Sequence, residues 1–326
     1  MLTASGGRLV IRGEADECNS LDQEAWFLAQ ARRAGVPVPE VLWVGAVDSA
    51  SGSRTVMVQT AVTGRELSEE LPRMSADQRW TAARACGQVI ARLHSVQVGG
   101  FYRRHTDGSF EFADYAALQA ADLANRLGNL ALLAEAGLTP AEVRQAESLL
   151  PEAVAARGDG PAVLCHGELF PAHIYVAIGG DAAAMGGNAV SASPEAVAAG
   201  GNGGAAGGNG GAAGGNAAAA SEEAGVTVTG LIDFGDACGG RPLDDLASLC
   251  REWPEVDRAA LAAGYGPASF WDDQGRRLAL GQLRMLIGYT AHDLRVGNAP
   301  GARNYLAAVK AVLASAAVSP YGGMPS

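Results

Sequence analysis

The chain has 326 residues, 48% hydrophobic and 18% charged, with a net charge of −11. That composition is ordinary for a globular protein and long enough for one large domain or two lobes around a sizeable core. The negative balance weighs against nucleic acid as the main partner. No apolar run reaches the ~20 residues that span a bilayer. The start, MLTASGGRLVIR, lacks the basic and apolar segments of a signal peptide. A cytoplasmic protein with no membrane partner is therefore expected. Five scattered cysteines (Cys18, Cys86, Cys165, Cys238, Cys250) without CxxC spacing read as reduced, buried thiols.

In chain order, GRLVIR (7–12) reads as a strand. A helix is expected from Ser20, with Gln23 completing a capping box, to Gly35, where the following V-P-V-P stops it. VLWVGAV (41–47) and TVMVQTAV (55–62) around DSASGS read as a β-hairpin. From Ser75 the pattern turns helical. S-A-D-Q is a capping box, and Trp80, Ala83, Cys86, Ile90 and Leu93 fall on one face at helical spacing. Thr139-Pro140-Ala141-Glu142 opens another helix through about Arg157, and the region after 244 is mostly helical by pattern. Trp26, Trp43 and Trp80 are expected to be packing residues, and Asp272, Asp273 and Asp293 a solvated acidic face.

Residues 200–216 read GGNGGAAGGNGGAAGGN, a seven-residue unit repeated twice and begun a third time. With its Ala-, Gly- and Ser-rich flanks, 179–224 is expected to be an insert, disordered or loosely ordered, because it offers almost no apolar side chains against maximal backbone entropy. It separates two strand-like runs, HIYVAI (173–178) and VTVTGLIDF (226–234), which together read as a hairpin with an expanded tip. Lengthening that tip from ~5 to ~45 residues costs only about 2 kcal/mol of closure entropy.

Two segments carry chemistry: CHGELFPAH at 165–173 and LIDFGDACGGRPLDDLA at 231–247. Each places charge at the end of an apolar strand, which is how a rigid scaffold presents carboxylates to a shared cleft. Asp233 can hold a hard cation together with substrate phosphates, and Asp236 and Asp245 add negative charge nearby.

The pair resembles the catalytic and metal loops of the aminoglycoside phosphotransferase family, small-molecule kinases with a protein-kinase-like fold, whose patterns are H-G-D-x-x-x-x-N and I-D-F/W-G followed by G-D-P-x-x-D-L-A. QEAWFLAQARRAGVPVPEVLWVG (23–45), VMVQTAVTGREL (56–67) and IARLHSV (90–96) are similar to further segments of that family, so the similarity spans roughly 7–178 and 226–315. The resemblance implies an α+β, two-lobed protein-kinase-like fold with a truncated N-lobe (1–62), a hinge near 59–63, and a mainly helical C-lobe (63–326) interrupted by the insert.

It also implies roles. Glu168 takes the place of the aspartate that accepts the substrate hydroxyl's proton, and His166 that of the loop-holding histidine beside it. Asp233 matches the metal-binding aspartate, His173 replaces the metal-binding asparagine, and Asp245 supports the loop. Arg12 stands where a basic residue contacts nucleotide phosphate, with Glu24 as its ion-pair partner. The implied cofactors are ATP or GTP and Mg²⁺ or Mn²⁺, because such transfer is mainly positioning and charge neutralisation. The implied acceptor is a hydroxyl of an aminoglycoside-, macrolide- or amino-alcohol-like small molecule; oligomeric state is left open.

Three departures keep a second reading open, that of an impaired kinase-like protein that binds nucleotide or metabolite without turnover. Glu168 adds a methylene that moves the carboxylate by up to ~1.5 Å, and ~1 Å can cost about 10²-fold. His173 brings an imidazole, which suits Mn²⁺ or Zn²⁺ better than Mg²⁺. Of the family's glycine-rich turn over the phosphates only Ser5-Gly6-Gly7 stands here, so an upstream start or a missing lid is expected. A third reading makes the glycine-rich repeat the functional part and the kinase-like body its scaffold.

Overall fold

The first long helix, α1 (Leu21–Arg33), ends as its sequence dictates. Gly35 takes φ +74°, Gly35 N–H donates to the Arg32 carbonyl, and Val36 N–H donates to that of Ala31. That is a Schellman closure, which a residue without a β-carbon adopts without strain. Capping boxes form at the next two expected starts. Ser75 and Gln78 exchange side-chain and backbone bonds at the head of α3 (Ala76–His94), and Thr139 and Glu142 do so at the head of α5 (Pro140–Ala155). The box expected at Ser20 does not form: the Ser20 hydroxyl accepts no bond from α1. Asp22 and Glu24 in the first turn carry the negative complement to the helix dipole instead.

This computed structural model describes residues 8–13, 20–49, 52–179, 190–191, 225–266 and 275–315. Ser5–Gly7, Cys18, Asp272, Asp273 and nearly all of the expected 179–224 insert lie outside them. The fold is mixed α and β. An antiparallel sheet β1-β3-β2 is built from β1 (Leu9–Gly13), β2 (Val41–Ser49) and β3 (Gly52–Thr60). A second sheet runs β4 (Arg65–Glu66), β8 (Ile174–Ile178), β10 (Val226–Leu231), β9 (Val190–Ser191). The expected expanded hairpin is the β8–β10 pair, and two residues of the segment read as an insert, Val190 and Ser191, pair with β10.

A third sheet interrupts the region read as helical. Its order is β6 (Phe110–Phe112), β5 (Phe101–Arg104), β11 (Cys238–Gly240), β7 (Val163–Cys165). The β5–β6 turn holds the signal that betrays it, T-D-G-S, where Gly108 takes φ +90° and Asp107 Oδ1 accepts from Ser109 N–H.

The remaining helices are the short α2 (Leu67–Glu70), α4 (Tyr115–Glu135), α6 (Pro242–Glu252), α7 (Arg258–Tyr265), α8 (Arg276–Arg295) and α9 (Ala299–Ala314). One core joins α1, the inner faces of β2 and β3, α3, β8, β10 and α6; a second joins α4, α5, α8 and α9.

Two tryptophans depart from the packing role expected of them. Trp43 is 45% exposed on β2 and folds over Gly45, and Trp80 is 41% exposed at the open end of α3 beneath Arg84, while Ala83, Cys86, Ile90 and Leu93 form the buried stripe. Trp26 packs edge-on against Phe27 and Phe110, as expected. Asp293 is not on a solvated face: it is buried where the end of α8 meets Gly301 at the start of α9.

Candidate active site

Two short loops leave adjacent strands and meet. The first, 166–173, joins β7 to β8; the second, 232–237, joins β10 to β11. Because β7 pairs with β11 and β8 with β10, both ends of each loop are tied to the other. The loops touch at Gly167, which has φ +87° and whose added β-carbon would sit 2.1 Å from the Asp236 carbonyl oxygen. A side chain there would push the loops apart, which explains the glycine in H-G-E. Asp233 takes the left-handed conformation, φ 64° and ψ 64°, sparsely populated for a residue with a side chain and a feature that clusters at functional sites.

Behind the loops lies a buried network. Asp245, wholly buried on the first turn of α6, accepts from His166 N–H (2.7 Å), Gly167 N–H (3.0 Å) and His94 Nε2–H (3.0 Å). His94 Nδ1 in turn faces the Tyr265 hydroxyl at 3.0 Å. Burial alone would raise the Asp245 pKa, but the bonds from His94 and the loop amides overcome it and hold the carboxyl below its usual range. His166 is also wholly buried. Its Nε2–H donates to the Ile232 carbonyl (2.8 Å) and its Nδ1 accepts from Glu168 N–H (3.3 Å), and burial keeps the ring neutral by lowering its pKa. Among the described residues His94, Cys165 and Asp245 are close enough to hold a metal. Asp245 is already saturated with N–H donors and burial keeps the Cys165 thiol protonated, so this cluster reads as hydrogen-bonded support.

In front of the loops the groups are only partly satisfied. Arg12, from β1, pairs with buried Glu24 of α1 and reaches Asp233 Oδ1 at 3.2 Å. Burial raises the Glu24 pKa against the pull of Arg12, and Phe234 N–H donates to the same carboxylate. His173 Nδ1–H donates to the Glu168 carbonyl at 2.8 Å, which settles its tautomer. Its Nε2 then faces Asp233 Oδ2, 3.7 Å away. The Asp233 side chain is 44% exposed. Glu168 is half-buried; desolvation, then the Asp236 carboxylate, raises its pKa, with His173 and Arg251 opposing.

The structure thus gathers the expected residues into two linked groups, Arg12, Glu24, Asp233, His173 and Glu168 in front, and His166 with Asp245 behind. Two residues of the network drew no attention in the sequence: His94 and Tyr265. His94 lies in the motif-like IARLHSV, but its partner is 151 residues away and left no local signal.

The donor pair suits a divalent ion. Asp233 supplies carboxylate oxygen, and the carbonyl-held His173 supplies an imidazole nitrogen aimed the same way, an orientation typical of metal-ligating histidine. A mixed N/O set accepts Mn²⁺ more readily than Mg²⁺, which prefers oxygen throughout.

The fold is shared with solved structures of low sequence identity. A thermostable mutant of the aminoglycoside phosphotransferase APH(4)-Ia, in ternary complex with AMP-PNP and hygromycin B, matches with a TM-score of 0.60 at 15% identity, covering 95% of this chain and 87% of that one. The wild-type aminoglycoside 2'-phosphotransferase-IIIa in its GDP complex gives 0.55 at 15%, covering 94% and 86%. A protein assigned as a fructosamine-3-kinase from Thermobifida fusca YX-ER1 gives 0.53 at 19%, covering 96% and 88%. No curated protein matches in sequence. The profile of the phosphotransferase enzyme family, in contrast, matches residues 2–184 and 221–280, flanking the glycine-rich repeat and taking in both loops and both groups of site residues. With most of its length so matched, the chain belongs to the phosphotransferase enzyme family.

Proposed function

We propose that this protein transfers the γ-phosphoryl group of ATP or GTP to a hydroxyl of a small molecule. The observation that carries the reading is the convergence of Arg12, Asp233, His173 and Glu168 at two interlocked loops. In this reading Arg12, braced by Glu24, meets the nucleotide phosphates. Asp233 and His173 hold Mg²⁺ or Mn²⁺, which when bound neutralises charge on the phosphate oxygens. Glu168 orients the acceptor hydroxyl and takes its proton as the new O–P bond forms and the bond to the nucleoside diphosphate breaks. Its raised pKa, caused first by burial, moves it toward the range useful for a base. His166 and Asp245 act as positioning residues. The lobe boundary at 62/63 fits this reading, since β1, β2 and β3 all precede it and β4 already pairs with β8. The bound ligands named for the structural neighbours, AMP-PNP, GDP and hygromycin B, are of the classes this reading requires.

The extra methylene of Glu168 sets how far the base extends from its loop. Its backbone is pinned on both sides, N–H to His166 and carbonyl to His173, so side-chain length alone sets its reach.

The test is phosphoryl transfer followed by ³¹P NMR with Mg²⁺ or Mn²⁺ over aminoglycosides, macrolides and amino alcohols. Asp233→Ala is expected to lower the rate about 10³-fold with the fold intact. An unchanged rate in that variant defeats the reading. Nucleotide binding without product over long incubation selects the binding-only alternative.

A further inference from the structure

Arg251 stands near the end of α6 with its guanidinium enclosed by rings from three elements. Its Cζ lies 5.5 Å from the ring centres of Phe170 in the 166–173 loop, Tyr289 of α8 and Tyr305 of α9. Nη1 pairs with Glu252 at 2.5 Å. Nε and Nη2 are buried and make no hydrogen bond among the described residues. Those two nitrogens form one edge of the planar guanidinium, the edge that grips an oxyanion through two parallel bonds. The same edge is in use elsewhere in this chain: Arg276 Nε and Nη2 each lie 2.7 Å from an oxygen of Glu152.

A buried cation with two idle donors is costly, because the water it gave up is not replaced. Packing alone would be served by methionine, which fills irregular apolar gaps at no such cost. The surroundings point to a use. Phe170, whose ring the Arg251 guanidinium covers, lies two residues beyond Glu168 on the same loop. The fork therefore flanks the group expected to face the acceptor hydroxyl.

We infer that the Nε/Nη2 edge of Arg251 anchors an anionic oxyacid group, a carboxylate or a phosphate, on the acceptor, whose hydroxyl meets Glu168. The inference rests on the reading of Glu168 given above and narrows it: the acceptor is a small hydroxylated acid, and a polycation is disfavoured. Tyr289 and Tyr305, tilted 36° to one another with centres 5.4 Å apart and only half-buried, offer apolar faces for the rest of such an acceptor.

The experiment is calorimetric titration of the protein saturated with AMP-PNP, using matched probes: serine against ethanolamine, glycerate against glycerol, and glycerol 3-phosphate against glycerol. The anionic member of at least one pair is expected to bind about tenfold tighter or better. A gap confined to the first two pairs assigns a carboxylate, and one confined to the last assigns a phosphate. In Arg251→Met the gap closes while AMP-PNP affinity stays within about twofold. If that variant does not fold, Arg251→Lys decides, since it keeps the charge and loses the fork, and the gap is expected to shrink. The absence of any gap in the unaltered protein, or a gap that survives the loss of the fork, overturns the inference. Failure of the kinase reading shows separately, as absent AMP-PNP binding or as transfer indifferent to Asp233→Ala.

Discussion

Behind the two loops, Asp245, His94 and His166 form a buried network in which each polar atom has a partner. In front of them, Arg12 pairs with Glu24 and Asp233, and Asp236 and Glu168 stand near His173. One region is built to be finished by folding, whereas the front carries a surplus of negative charge that suits a divalent cation and phosphate brought together. Two histidines seven residues apart show the division. His166 uses both nitrogens within the protein; His173 spends one on the Glu168 carbonyl and aims the other outward.

The sharpest way to break the comparison is at its buried end. Asp245→Ala leaves two loop amides and His94 without their acceptor and is expected to cost on the order of 3 kcal/mol, read as a fall in Tm. The sign with pH is fixed by the lowered carboxyl: its stabilisation is present above the unfolded-state value and is lost as pH falls through the folded one. Asp245→Asn should therefore lose less stability in acid than at neutral pH, compared with the unaltered protein.

At the front, changes should touch chemistry and leave stability nearly alone. Glu168→Gln is expected to lower the transfer rate about 10²–10³-fold with Tm unchanged. Glu168→Asp withdraws the carboxylate along a pinned backbone, and about a 10–100-fold loss follows; a gain in rate would show that the loop was free to shift. His173→Asn should lower Mn²⁺ affinity relative to Mg²⁺ about tenfold, measured by Mn²⁺ electron paramagnetic resonance. The smallest effect is expected from Asp236→Asn. Removing a carboxylate that raises the Glu168 pKa lets the base ionise at lower pH, so the acid limb of the rate profile moves down. An upward move would put Asp236 in a different role.

Much of the architecture was legible before the structure. The helix ending at Gly35, the capping boxes at Ser75 and Thr139, and the β8–β10 hairpin all follow from local signals, since caps and turns are satisfied by residues a few positions apart. The sheet β6-β5-β11-β7 was not, because β11 reaches its neighbours β5 and β7 from more than seventy residues away. Trp43, Trp80 and Asp293 ran against expectation for the same reason: exposure depends on which element covers a face, and nothing local to those residues records it.

The sequence by itself determined the two loops, their chemistry-bearing residues and their order, because motifs carry residue type and spacing. It could not decide what those residues face. That His173 directs Nε2 at Asp233, that Asp245 is spent wholly on support with His94, and that Arg251 holds an idle fork near Glu168 are facts of the tertiary structure. Each depends on the direction of a side chain relative to a partner far along the chain, and only the packed chain sets that direction.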